Sequence, residues 1–277
     1  MNIIGVGQAG CAVAAKFEKM PQYKVFSVDT DDNNYRKLFK VEPQSSHEEY
    51  EANYKKINTR LINKEHTTLI LSGASKISGI ILRLLEQLKT REMTVMYIKP
   101  DLSTSPKEVV MQEKIVFGVL QQYARSGKLA NMIIVDNALI EGVVGDISIA
   151  SYWDEINNVI ASTHHMINIF NNTEPLLSTL SSPGTTSRIC TLGVVAVENL
   201  DEKPFYDLRF PRLKKYFFGI SENTLNEKKS LLTEIRSYLK ERSTEECSTC
   251  FAIYSTSYEQ DYAYTIHYAS FVQEEKI

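Results

Sequence analysis

An α/β fold is predicted: a parallel-sheet unit first, then a long core helix, then a smaller α+β unit. Three observations carry this. Short apolar runs alternate with helix-length segments through the first half of the chain, residues 147–171 form the longest uninterrupted helical pattern, and beyond it several strand-like runs surround one helical segment. Alternation implies parallel strands with right-handed crossovers, covered on both faces. Strands gathered around one helix imply an α+β arrangement.

The first strand, around Ile3 and Ile4, runs into Gly5-Val6-Gly7-Gln8-Ala9-Gly10 and a helix-like segment that ends near Lys19. Glycines suit a tight turn that brings backbone N–H groups against an anion, with the helix N-terminus adding partial positive charge. A phosphate site is the natural reading. A second strand, 23–28, ends in Asp29-Thr30-Asp31, so Asp29 falls 19 residues after Gly10 and the dinucleotide fingerprint is formally met. Taken alone, this pattern points to an NAD-dependent enzyme, although no catalytic acid or base accompanies it.

A polar stretch, 32–44, precedes an exposed helix expected over 46–63, with Ser45 or Ser46 as its cap. Strands follow at 66–71, 94–98 and 132–135, and helices at 80–88, 108–127 and 138–144. After the helix at 147–171, Pro175 and Ser181-Ser182-Pro183-Gly184 mark a boundary. The expected divisions are 1–146, 147–187 and 188–277. In the last part, strands are expected at 189–197, 216–220, 250–256 and 262–271, with a helix at 224–242.

The chain has 277 residues, of which 43% are hydrophobic and 23% charged, with a net charge of −3. Such a balance argues against nucleic acid as the main partner, since nucleic-acid binders usually carry a basic surface. No apolar run approaches the ~18–20 residues that span a bilayer, and the N-terminus enters a strand directly, so no membrane partner and a cytoplasmic location are expected. Four cysteines suit a reducing compartment. Cys247-Ser248-Thr249-Cys250 has half the spacing of a zinc site but no second half, and His164-His165 point apart on a helix, so no metal site is assigned.

The residues 3–11, followed by Ala14-Ala15-Lys16-Phe17, resemble the opening of tubulin, and Phe26-Ser27-Val28-Asp29-Thr30-Asp31 is similar to the second strand of the bacterial division protein FtsZ. Asp136-Asn137 resembles the Asn-Asp segment of FtsZ with its two residues exchanged. The order of elements resembles that superfamily over nearly the whole chain. This resemblance implies a nucleotide site built from Gly7, Gln8, Ala9, Gly10 and Cys11, from Gly73, Ser75, Lys76, Ser78 and Gly79, and from Trp153 and Asn157. Trp153 would stack on guanine and Asn157, four residues on and on the same helix face, would bond its edge.

Departures matter equally. Where the family has G-G-G-T-G-[ST]-G, this chain has Gly73-Ala74-Ser75-Lys76-Ile77-Ser78-Gly79, which keeps only the outer glycines. Lys76 can replace lost amide donors as a point charge. The segment 173–184, which in the family carries acidic residues to the next subunit's nucleotide, holds only Glu174. No catalytic residue is assigned. The resemblance therefore implies a filament-type or complex-forming protein that binds GTP or GDP with Mg2+, assembles head to tail with itself or within a larger protein assembly, and hydrolyses little. The alternative is a non-catalytic structural protein without nucleotide. A short, divergent chain without a tail resembles phage- or plasmid-encoded members.

Overall fold

Among the described residues five parallel strand pairings organise the first half of the chain, and all but the one to the short edge strand 38–40 join continuous, largely apolar runs buried on both faces. The computed structural model describes residues 1–31, 35–63 and 65–272. It divides into two units, Met1–Ala161 and Ser162–Ile277, with the division inside the long helix.

The first unit contains β1 (Asn2–Val6), α1 (Gly7–Lys16), β2 (Lys24–Asp29), β3 (Leu38–Lys40), α2 (His47–Ala52), β4 (Thr67–Leu71), α3 (Ile81–Leu88), β5 (Met93–Lys99), α4 (Lys107–Arg125), β6 (Asn131–Asp136), α5 (Asn137–Val144) and the start of α6 (Tyr152–Asn171). Its strands lie in the order β3-β2-β1-β4-β5-β6. Ligands of such sheets collect beyond the carboxyl ends of the strands, where the β1–α1 turn lies.

The second unit contains β7 (Leu177–Ser178), β8 (Ile189–Val195), β9 (Glu202–Pro204), β10 (Leu213–Ser221), α7 (Glu222–Glu227), α8 (Leu231–Arg242), β11 (Ser248–Thr256) and β12 (Tyr262–Ala269). The strand order is β8-β12-β10-β11-β7, with β9 on β8. Among the described residues of this unit, only β10 and β11 pair in parallel. Tyr216, Phe218 and Ile220 of β10 pack with Leu231, Ile235 and Tyr238 around α8 as a core.

A charged cluster sits beside that core. The Glu202 carboxylate accepts from Lys214 Nζ at 2.8 Å, from the Tyr216 hydroxyl, and from the Tyr238 hydroxyl at 3.4 Å, while His267 Nε2 approaches it at 3.3 Å. The Arg242 guanidinium lies 3.6 Å from the centre of the Tyr238 ring. Burial pushes the Glu202 pKa up, but the His267 contact and the bonds from Lys214 and Tyr216 outweigh it and hold the carboxyl well below the usual carboxylate range.

Several expected elements change. The helix expected over 46–63 ends at Ala52. Its start is well made: Ser46 Oγ accepts from Glu49 N–H and the Glu49 carboxylate accepts from Ser45 N–H at 3.0 Å. Beyond Asn53, however, Gln87 of α3 accepts from Ile57 N–H at 3.3 Å and donates to Ile57 C=O at 2.6 Å, so side-chain bonds replace helical ones. The helix expected from 147 begins at Tyr152, after Gly145 at φ +78° and a Ser148–Ser151 hydroxyl contact of 2.9 Å. The helix expected over 224–242 breaks at Lys228, whose ψ of 80° is not helical. Part of the polar stretch 32–44 is β3, and residues 32–34 of that stretch lie outside the described residues. Among the described residues no helix is long and apolar enough to cross a membrane.

Candidate functional site

At the end of β1 the chain turns at Gly7, whose φ of +66° is open to glycine at no steric cost. A Cβ there would lie 2.8 Å from Ile77 Cγ2 and 3.7 Å from Ser75 Oγ, so the turn and the second loop meet at this point. Helix α1 begins at once. No side chain caps it, its first turn holds no acidic residue, and Gln8 and Ala9 are exposed. The first-turn N–H groups are therefore presented outward with a positive dipole end, which suits an anion.

Gly10 and Cys11 sit differently. Both are buried, and a Cβ on Gly10 would lie 2.2 Å from the Ile70 carbonyl oxygen of β4. Gly10 lets the helix lie directly on the sheet, the packing duty of a third fingerprint glycine. The Cys11 thiol points at the Val28 carbonyl at 3.8 Å, and burial pushes its pKa up to about 12. Cys190, Cys247 and Cys250 are buried too, and burial likewise raises the Cys190 thiol to about 12.

In the second loop, residues Lys76–Ile80 form a 3-10 turn. Ser75 and Lys76 are exposed, whereas Ser78 turns its hydroxyl inward to the Gly73 carbonyl at 3.0 Å. A Cβ on Gly79 would lie 2.1 Å from the His47 carbonyl oxygen, and one on Gly73 would lie 2.3 Å from the Tyr97 hydroxyl. Both outer glycines of the loop thus serve close packing.

Three residues that the sequence reading passed over hold this loop. Gln112 of α4 donates to the carbonyls of Gly73 at 3.1 Å and Ser75 at 3.0 Å, and beneath them the Tyr97 hydroxyl donates to Glu113 at 2.9 Å. Burial, and then Glu113, push the Tyr97 pKa up. Glu113 gave the only signal: a carboxylate on the buried face of a helix, next to Val116 and Phe117, breaks the apolar pattern.

At the start of α6, Trp153 is 62% exposed and meets Tyr152 edge to face, with ring centres 4.9 Å apart. Asn157 is half-buried one turn on. Asp154, between them, pairs with Lys16 at the last turn of α1 and accepts from Asn158 at 3.1 Å. The ion pair sets the first turn of α6 beside the far end of α1, about 13 Å of helix rise from Gly7.

Asp29, the fingerprint acid, is buried, and its carboxylate accepts from Thr30 N–H at 2.8 Å, so the group that would meet a ribose is turned onto its own backbone. Asp136 caps α5 by accepting from Ala138 N–H at 2.9 Å. Glu174 is exposed, and the residues after it are held in the sheet: Leu176 N–H donates to Ile253 C=O and Thr179 N–H to Phe251 C=O, both at 2.8 Å. Among the described residues no group of three or more His, Cys, Asp or Glu side chains is placed to hold a metal ion.

No protein-family profile matches the chain, and no curated protein sequence matches it. Solved structures do. A GTPγS-form protofilament of TubZ from Bacillus thuringiensis serovar israelensis matches with a TM-score of 0.68 at 16% identity, over 98% of this chain and 86% of that one. CetZ from Methanosaeta thermophila matches with a TM-score of 0.68 at 15% identity, over 98% and 87%. An empty FtsZ dimer from M. jannaschii matches with a TM-score of 0.63 at 12% identity, over 97% and 87%.

Proposed function

We propose, from the tubulin/FtsZ fold that this chain adopts, that it is a head-to-tail assembling protein whose β1–α1 turn takes the phosphates of GTP or GDP and whose hydrolysis is slight. The observation that carries this is the uncapped, outward-facing start of α1 after Gly7, with Gln8 and Ala9 exposed and Ser75 alongside. An anion fits that cradle. Asp154, next to Trp153 and one turn before Asn157 and Asn158, pairs with Lys16 at the opposite end of α1, which supports a ligand with phosphate at one end of that helix and a base toward the other. With no acidic cluster among the described residues to hold it, Mg2+ would be carried by the phosphates and water. TubZ is reported as a protofilament, and a heterologous contact that does not close yields such filaments.

Little hydrolysis is expected because Glu174 stands alone in its segment and the second loop has spent Ser78 on its own backbone. Losing one transition-state donor typically costs ~10²–10³ in rate. The second reading, a structural protein without nucleotide, has its own support: Ile77 lies against Gly7 where the family loop carries small residues.

The deciding experiment denatures gently purified protein and separates any released nucleotide by chromatography. Guanine nucleotide is the expected result, and its absence together with no binding on addition would leave the structural reading. Ala9→Glu sharpens this test. It places a carboxylate at the first turn of α1, where it suits the dipole and so leaves the fold intact, but repels phosphate, so affinity should fall by about tenfold or more, about 1.4 kcal/mol. Phosphate release, measured at protein concentrations that permit assembly, should stay near background.

Trp153 offers a direct optical check. As the chain's one tryptophan and an exposed one, its emission should shift or quench on titration with GDP or GTP and respond less to ATP. An unchanged spectrum in folded, nucleotide-free protein would remove Trp153 from the site.

A further inference from the structure

A groove of about 660 Å3 lies at the outer edge of the first unit's sheet, between β3 and residues 53–58. Strand β3 pairs with β2 on one side and ends the strand order on the other. Ser27 N–H donates to Lys37 C=O at 3.0 Å, and Val41 N–H donates to Asp29 C=O at 2.9 Å. Alternate peptide groups of a strand point to opposite sides, so the N–H and C=O groups of Leu38 and Lys40 face the groove.

The opposite wall is fixed in place. Gln87 holds the Ile57 peptide from both sides and accepts from the Tyr54 hydroxyl, so the short segment carrying Lys55 and Lys56 is pinned at each end. Lys40, Lys55 and Lys56 are exposed and line the groove, and Glu42 is the one carboxylate among its described lining residues. This local excess of positive charge stands in a chain whose net charge is −3.

We infer that the groove binds an acidic, extended segment of a partner protein, which adds to the edge of β3 as a further strand. Leu38 and Lys40 present their outward peptide groups two residues apart, about 6.7 Å, the repeat of a strand and not of a single phosphate. The lysines supply selection. At a sheet edge they repel basic strands, including copies of the same edge, disfavour neutral ones by the cost of desolvating an unpaired ammonium, and admit an acidic one.

The test uses the full chain and a fluorescein-labelled peptide of alternating Glu and Val, followed by anisotropy. Saturable binding is expected, weakened about tenfold or more by Lys55→Glu with Lys56→Glu. Leu38→Pro removes one outward N–H and none of the bonds to β2, and should weaken binding about fivefold, whereas Leu38→Ala should not. Should Leu38→Pro fail to fold, the same peptide N-methylated at alternate residues replaces it and should lose binding to the parent protein. No binding at millimolar peptide overturns the inference. Binding that depends on the lysines but is indifferent to Leu38→Pro and to N-methylation overturns it equally, since the groove would then be attracting charge alone.

Discussion

Gly10→Val is expected to unfold or severely destabilise the first unit, by about 3 kcal/mol or more, and not simply to block a ligand. A Cβ at Gly10 would stand 2.2 Å from the oxygen and 2.9 Å from the carbon of the Ile70 carbonyl, and both atoms belong to a strand paired on either side. Neither partner can yield cheaply. Loss of nucleotide binding in this variant would therefore report the fold, which is why Ala9→Glu is the sharper probe of the site. Urea unfolding should place the midpoint well below that of the parent. Gly118→Ala is the control: nothing lies within 4 Å of its Cβ, so that variant should match or exceed the parent. A Gly10→Val protein as stable as the parent would show that α1 can lift from β4.

Glu202→Ala should cost the second unit about 3–5 kcal/mol, because it strands Lys214 and two tyrosine hydroxyls around a site whose carboxylate is only 11% exposed. Removing one partner of a buried pair leaves the other uncompensated. The pH dependence carries a sign. The Glu202 pKa is lower folded than unfolded, so its contribution is complete above the ordinary glutamate pKa of about 4.3 and is lost as pH falls toward the folded value. Parent protein should lose stability through this group in acid, and the variant should lack that part of the slope. His267 adds in the same direction, since burial lowers its pKa and protonating it opposes folding. Thermal melts from pH 7 to pH 3 would measure both. Parallel pH profiles for parent and variant would remove the cluster from any role in acid stability.

What the sequence made legible follows from which forces leave periodic traces. Strands β1, β4, β5 and β6 are buried on both faces, so each reads as an apolar run, and the turn at Gly7 reads from its glycines. Strands β3, β7 and β9 are held by main-chain pairing over two or three residues such as Glu202-Lys203-Pro204, which carry no apolar pattern. Of the candidate site, the sequence made legible the local geometry of the first turn, where Gly7 takes the positive φ that a glycine there implies. Gly73 and Gly79 read as phosphate glycines, yet the distances to Tyr97 and His47 give them packing duties that depend on residues far along the chain. Nor can spacing reveal that the Ser78 hydroxyl turns inward, or that Gln112 reaches back to two carbonyls. The Glu202 cluster draws on four separate elements and leaves no local trace.

The four cysteines give the protein a built-in clock. The thiolate is the species that alkylating reagents capture, and every thiol in the chain is buried, with Cys11 and Cys190 also driven far toward the protonated form. Native protein should therefore resist iodoacetamide. Modification then waits on local opening, and because Cys11 belongs to one unit while Cys190, Cys247 and Cys250 belong to the other, mass spectrometry of the labelled peptides would time the opening of each unit separately, in the presence or absence of any ligand.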